Sequence, residues 1–344
     1  MDLTFEKLLS DPRYNQLMFY DVTALSPDQK LAVAECMSEV LSVFLSKVGY
    51  QYVSPSPDDR LRDDLLQWGQ KHVAPISACG EEALRELFGL STSITEHCYP
   101  LAEHESRLMI ATASVAMISL DDQIIKPESR KHYNRFYYDM FLGSADTDGW
   151  SKLYSTVIRD FVHYFGAKDP RFGSLAGSGF ASFAEATYTE EQLRSQLPPH
   201  LSHASPACGL AKNNLCPTNF AYYNRAITGV TTPYIVTMFK PCRDTEVPFE
   251  YWITSVANLI AWICLINDIF SFSKEVVAGE NFNYISLQTL SKRQVGVPSS
   301  SGADSLWTFK DTICETLDIL YKCTQELDGA FIEFSKYVEK SRRV

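Results

Sequence analysis

Apolar side chains recur along this chain every three or four residues, the spacing that lines one face of an α-helix. No stretch sustains the two-residue alternation of a half-buried strand. The first clear helix starts at Ser26-Pro27-Asp28-Gln29, where serine caps, proline suits the first turn and glutamine completes a capping box. Its predicted buried stripe is Leu31, Ala34, Met37, Leu41, Phe44 and Val48, ending at Gly49. A second amphipathic helix covers 59–72 (Leu61, Leu65, Trp68), and a short one covers 81–89 and stops at Gly89. From Leu101 to Leu120 the chain reads as one helix that is apolar on every side, as in the middle of a bundle, and it ends at Asp121-Asp122.

Helical patterns recur at 129–142, 149–165 and 171–194, the last with small residues (Gly173, Ala176, Gly177, Gly179, Ala181) that loosen its start. Residues 196–217 hold Pro198, Pro199, Pro206 and Pro217 among Ser, Asn and Gly, and read as a long loop, a lid or an insertion. Thr218 can cap the next helix, which carries Arg225 and breaks across Gly229-Val230-Thr231-Thr232-Pro233. A strongly apolar helix follows over 248–278, then a polar stretch at 295–304 and a last long helix over 306–341. Residues 1–25 form an irregular arm anchored by Phe5, Leu8, Leu9, Phe19 and Tyr20. The expected fold is all-α: one domain over 26–344, a bundle of roughly ten to twelve helices.

Composition narrows the function. At 344 residues the length alone allows about two domains, and 45% apolar residues are ample for a large core. A net charge of −11 with no clustered Lys/Arg stripe argues against a nucleic-acid surface. Nine cysteines, none in a C-x-x-C pair, read as reduced thiols, and the N-terminus shows no signal-peptide pattern. The apolar runs Leu108–Leu120 and Ala257–Ile266 are too short to span a bilayer. The expected location is the cytoplasm, with no nucleic acid and no membrane span.

The chemistry concentrates at Asn267-Asp268-Ile269-Phe270-Ser271-Phe272-Ser273-Lys274-Glu275. Asn267, Ser271 and Glu275 stand at i, i+4 and i+8, so a helix projects all three from one face. An amide carbonyl, a hydroxyl and a carboxylate are hard oxygens of the kind Mg²⁺ takes. Asp121-Asp122 is a second acidic cluster at the end of a buried helix, an odd choice structurally because it opposes the helix dipole there. By contrast, Asp58-Asp59 and Asp63-Asp64 lie in an amphipathic surface helix, and His97 and His104 read as ordinary bundle residues.

Asn267-Asp268-x-x-Ser271-x-x-x-Glu275 resembles the second metal motif of class I terpene cyclases at every defining position, and Asp121-Asp122 stands where their aspartate-rich motif belongs. Lys274, directly before Glu275, and Asn283-Tyr284-Ile285-Ser286-Leu287 look like the fungal trichodiene synthase family. The resemblance extends from about residue 30 to the end. It implies a single-domain helical bundle around a central apolar cavity, three Mg²⁺ ions (Mn²⁺ as a substitute), farnesyl diphosphate as substrate, and a homodimer. Carried over by position, Asp121 is a metal ligand, with Asp122 less firmly matched. Asn267, Ser271 and Glu275 are ligands of another ion. Arg225, 42 residues before Asn267 and just ahead of a helix break, matches a diphosphate-sensing arginine, and Lys274 a further diphosphate contact.

There are two departures. The first motif reads Asp121-Asp122-Gln123-Ile124-Ile125, with isoleucine for the usual fifth-position acid, and Glu128 comes three residues too late. Arg342 and Arg343 stand near the place of a closing Arg-Tyr pair, but no tyrosine follows; they read as diphosphate contacts or as a basic tail.

Candidate pocket walls are Ser114, Met117, Ile118, Phe180, Phe183, Phe220, Trp262 and Ile263. The implied reaction ionises farnesyl diphosphate and cyclises the carbocation to a sesquiterpene hydrocarbon or alcohol. Rivals are a cyclase for another prenyl chain length, a chain-elongating prenyl transferase and a non-catalytic paralogue that binds prenyl diphosphate or a protein partner. The transferase expects two complete Asp-Asp-x-x-Asp motifs and this chain has none. A di-iron bundle oxidase is excluded, since no Glu has a His three residues on.

Overall fold

A computed structural model describes residues 5–77, 80–124, 136, 138, 142, 149–196, 219–300 and 302–341. It is all-α apart from one small hairpin among the described residues, and divides into two compact units. The first comprises Met1–Gln51, Arg194–Gly229 and Ala257–Val344; the second comprises Tyr52–Leu193 and Val230–Val256.

In the first unit the N-terminal arm is less irregular than its sequence suggests. It forms helix α1 (Phe5–Leu8) and 3₁₀ turns at Pro12–Leu17 and Val22–Ala24, with Phe5, Leu9, Tyr14 and Leu17 buried. Its backbone is tied down by Phe5 N–H donating to Asp318 Oδ1 at 3.2 Å and by Phe19 O accepting from Phe309 N–H at 2.8 Å. Helix α2 (Pro27–Lys47) has the expected reciprocal capping box between Ser26 and Gln29, and Gly49 supplies the left-handed turn at φ 68° that ends it. Its buried face differs from the predicted stripe. Val33, Met37, Val40 and Phe44 are buried while Leu31 is 56% exposed. Two overlapping i, i+3, i+4 stripes were available, and packing against the core chose the one holding β-branched Val33 and Val40.

The further helices of this unit, numbered by chain order, are α8 (Phe220–Thr228), α10 (Val256–Ala278, of which Val256 belongs to the second unit), α11 (Tyr284–Gln294) and α12 (Phe309–Ser341). Leu265, Ile269, Phe272 and Val276 of α10 lie in the same core as Phe309, Ile313 and Leu317 of α12. The stretch Phe249–Ala278 reaches a mean hydropathy of 1.7 and is long and apolar enough, by composition alone, to cross a membrane. That exceeds the reading of its apolar run as too short; here the run supplies core residues. The polar stretch before α12 is not purely loop. It forms an antiparallel hairpin, β1 (Pro298–Ser299) and β2 (Gly302–Leu306), too short to show as alternation. Asp311 fastens it, accepting from Ser299 Oγ (2.9 Å), Ser300 Oγ (2.6 Å) and the N–H and hydroxyl of Thr308 (2.8 and 2.7 Å).

In the second unit α3 (Asp59–His72) has the bounds read from the sequence. Helix α4 (Glu81–Cys98) runs straight through Gly89, which is exposed and interrupts no intrahelical bond. Helix α5 (His104–Ile124) starts three residues later than expected and includes Asp121 and Asp122 in its last turn. It packs against α4 and α6 (Gly149–Phe165), burying Ile110, Ala113, Val115, Met117 and Leu120. Asp58 caps α3 and pairs with Arg107 at 2.7 Å, and His104 meets Asp64 at 2.7 Å, so this acidic run is structural.

Helix α7 (Pro170–Gln196) is continuous, and its small residues serve close approach rather than loosening. A Cβ on Gly173 would lie 2.5 Å from Val162 O, and one on Gly179 would lie 2.5 Å from Pro233 Cδ. Pro233 belongs to α9 (Thr231–Met238), where its missing N–H costs nothing in the first turn. The predicted break between α8 and α9 is present, with Gly229 closing one helix and Val230 opening the next at φ 51°. The 129–142 helix falls largely outside the described residues. So do most of the 196–217 loop and Thr218.

Candidate active site

Helix α10 places the motif as its spacing requires. Positions 267, 271 and 275 are each one turn apart, about 6 Å along the axis. The adjacent face of the same helix buries Asp268, Ile269, Phe272 and Val276, so the motif lies along the edge where the core gives way to a polar stripe. Asn267 is exposed, while Ser271 and Glu275 are half-buried.

Arg225 comes to this stripe from the last turn of α8. Its Nε donates to Asp268 Oδ2 at 2.6 Å, and its Nη2 donates to Asn267 Oδ1. Cys264 Sγ donates to the Arg225 carbonyl oxygen at 3.5 Å, holding the backbone of α8 one turn before Asn267. The Asp268 side chain is only 5% exposed and that of Arg225 22%. Asp268 also accepts a backbone hydrogen bond from Tyr284, the first residue of α11. Asn283 caps that helix, accepting from Ser286 N–H at 2.8 Å, which aims the Tyr284 N–H back at α10. Burial pushes the Asp268 carboxyl up to about 6, against the pull of the Arg225 guanidinium; the neighbouring Glu275 carboxylate adds to the rise.

The donor set suits a hard divalent cation. Among the described residues Glu275 Oε2 is buried with no hydrogen-bond partner, a costly arrangement for a carboxylate oxygen unless a cation answers it. Ser271 Oγ makes only a long 3.4 Å bond, to Asp268 O, among the described residues. Among the described residues no three His, Cys, Asp or Glu side chains cluster to hold a metal, so a site here is one of mixed amide, hydroxyl and carboxylate oxygens. Lys274 is exposed on the same helix.

The other predicted residues are placed as follows. Asp121 is exposed in the last turn of α5, in the second unit. The Asp122 side chain, Ile125, Glu128, Arg342 and Arg343 lie outside the described residues. Met117 and Phe183 are buried in the second unit's core; Phe220 and Trp262 are half-buried against the first unit's core. Trp262 Nε1 donates to Thr324 Oγ1 at 3.0 Å. Ser114 is fully buried and engaged with Ile110 O and Tyr234 OH, both at 2.9 Å. Phe180 packs edge-on to Phe161 at 4.9 Å. None of these residues lines the cavity of about 540 Å³ beside the hairpin, where three of the four lining acids have structural partners: Asp311 holds the hairpin, Glu315 meets Lys292 at 2.7 Å and Asp318 accepts from Phe5.

Sequence reasoning gave Asp268 no role. Its one signal was an acid inside the motif but one residue, hence about 100°, off the ligand stripe.

No family model matches the chain. It is 24% identical over 236 residues to "Monoterpene synthase 25" of Postia placenta (strain ATCC 44394 / Madison 698-R), covering 67% of this chain and 60% of that protein's length. Among solved structures it resembles the linalool/nerolidol synthase from Streptomyces clavuligerus, with a TM-score of 0.58 at 15% identity, covering 84% of this chain and 90% of the other. The same enzyme in complex with 2-fluorogeranyl diphosphate gives a TM-score of 0.57 at 16% identity, over 83% and 91% of the two chains. The fold of this chain is therefore that of the class I terpene synthases.

Proposed function

We propose that this chain, built on the class I terpene synthase fold, is a Mg²⁺-dependent terpene cyclase of the trichodiene synthase type. It ionises farnesyl diphosphate and cyclises the resulting carbocation to a sesquiterpene hydrocarbon or alcohol, releasing diphosphate. The observation that carries the reading is the joined constellation on α10. Arg225, 42 residues away in sequence, lies on the motif's Asn-Asp pair, on the helix that also carries a buried Glu275 oxygen with no partner among the described residues.

Asn267, Ser271 and Glu275 would hold one ion and Asp121 another; Mg²⁺ bound there supplies Lewis-acid stabilisation of the departing diphosphate. The chain's own residues do the rest. The allylic C–O bond breaks with its electron pair leaving on oxygen. Arg225 presents a planar fork to the phosphate oxygens and Lys274 a point charge, both stabilising the anion as it forms. Apolar walls shield the cation from water until it loses a proton or takes up one water, and aromatic faces steady it by about 0.5–2 kcal/mol each. Met117, Phe183, Phe220 and Trp262 are the proposed walls.

The α8–α9 break supports a coupling of binding to shape. Gly229 N–H donates to Arg225 O at 2.9 Å, and the next residue, Val230, is β-branched yet left-handed at φ 51°. Diphosphate drawing on Arg225 would shift this strained backbone; identical 225–233 conformations in free and diphosphate-bound crystals would refute the coupling. The family resemblance supports a homodimer, and the scattered cysteines, read as reduced thiols, support a cytoplasmic setting.

A ten-carbon substrate is the second reading, favoured by the relative named a monoterpene synthase and by the neighbour's 2-fluorogeranyl diphosphate complex. Incubation with Mg²⁺ and prenyl diphosphates of ten, fifteen and twenty carbons, followed by analysis of volatiles, separates the readings. A cyclic hydrocarbon or alcohol from the fifteen-carbon substrate supports the proposal. Product from the ten-carbon substrate alone supports the second reading, and no diphosphate release from any of them supports a non-catalytic paralogue.

A further inference from the structure

We infer that Arg225 and a divalent cation compete for one oxygen, Asn267 Oδ1, and that Asp268 is the positioning residue that holds Arg225 in the competing place. The inference rests on the proposed metal-binding role of Asn267, Ser271 and Glu275.

The geometry is specific. Asn267 Oδ1 is the atom an asparagine offers to a metal, and it already accepts from Arg225 Nη2. A guanidinium and a divalent cation on the same oxygen repel each other at close range. The guanidinium does not rest there loosely. Nε is anchored on the buried Asp268 carboxylate at 2.6 Å, and that carboxylate is itself fixed by the Tyr284 N–H at the start of α11. Since Nε and Nη2 lie on one edge of a rigid plane, anchoring the first aims the second. The motif's aspartate thus orients the arginine, while its asparagine is shared between arginine and metal.

The functional consequence is an order of events. A cation that takes Asn267 releases one edge of Arg225, which becomes available to diphosphate. A diphosphate that engages Arg225 gives up Asn267 to the cation. Each ligand lowers the obstacle to the other, so metal and diphosphate bind cooperatively, and metal alone binds weakly.

The test uses the full-length protein with Mg²⁺ titrated calorimetrically, with and without inorganic diphosphate. The double variant Arg225→Met/Asp268→Asn removes one positive and one negative charge together, leaving net charge unchanged. Without diphosphate it should bind Mg²⁺ about tenfold more tightly than the unaltered protein, the scale of one charge-assisted hydrogen bond no longer to be displaced. Adding Glu275→Ala to that double variant should abolish the gain, which locates it on the α10 stripe. Asp268→Asn alone keeps the arginine but loses its anchor, and should shift Mg²⁺ affinity in the same direction by a smaller factor; it carries the test if the double variant does not fold. Equal or weaker Mg²⁺ binding in the folded variants, with normal binding of Mg²⁺ plus diphosphate by the unaltered protein, overturns the competition and leaves the enzymatic reading standing. Absence of Mg²⁺ binding by the unaltered protein even with diphosphate overturns both.

Discussion

Replacing Glu275 by alanine separates a functional carboxylate from a structural one. Glu275 Oε2 is buried without a hydrogen-bond partner among the described residues, and its charge works against that of buried Asp268. Truncation therefore removes one half-buried methylene, at most about 0.8 kcal/mol of burial, and relieves a charge unanswered among the described residues that offsets much of it. The net change in stability should stay within about 1 kcal/mol. For 344 residues the unfolding entropy is about 0.7 kcal/mol/K, so Tm should move by no more than about 1–2 °C. Activity should respond differently. A lost electrostatic group at the site of charge development costs about 3–4 kcal/mol, or two to three orders of magnitude in turnover. The assay pairs thermal unfolding with diphosphate release and extraction of volatile product from farnesyl diphosphate across a Mg²⁺ series. Unaltered turnover and Mg²⁺ dependence in Glu275→Ala would falsify the metal assignment. A fall in Tm beyond about 5 °C would show that the carboxylate is structural after all.

Arg225→Ala strands the Asp268 carboxylate, 5% exposed, without its cation, and should cost about 3–5 kcal/mol in urea unfolding; adding Asp268→Asn should recover part of that loss. Burial raises the Asp311 carboxyl, but the bonds from Ser300, Thr308 and Ser299 outweigh it and hold the group below its usual range. Its contribution is thus complete above the unfolded carboxyl value of about 3.9 and is lost as pH falls through the lower folded value. An Asp311→Asn protein should therefore show a flatter acid limb in stability measured between pH 2 and 6. Gly179→Ala would set a Cβ 2.5 Å from Pro233 Cδ and should destabilise by about 1–3 kcal/mol, whereas Gly89→Ala meets nothing within 4 Å and should stabilise by about 0.5–1 kcal/mol; melting of the two variants side by side checks both.

What the sequence determined by itself is what neighbours within a few residues decide. The capping box at Ser26 and Gln29, the α3 bounds, the break at Gly229 and the one-faced stripe of Asn267, Ser271 and Glu275 follow from local sterics and the 3.6-residue period. Those rules are indifferent to what lies across the core. The face of α2 that goes inward needed the partner surface, because Leu31 and Val33 satisfy the period almost equally and only packing separates them. Glycine shows the same division. Gly89 looked like a helix end and is not one, while Gly179 looked like loosening and is a contact point for Pro233. The Arg225–Asp268 pair lay furthest from view. Its partners are 43 residues apart, and the acid sits off the ligand stripe, so only the approach of α8 and α11 to α10 gives it a role. Position along a helix is a local property, but the charge that answers a buried carboxylate comes from wherever the fold can bring one.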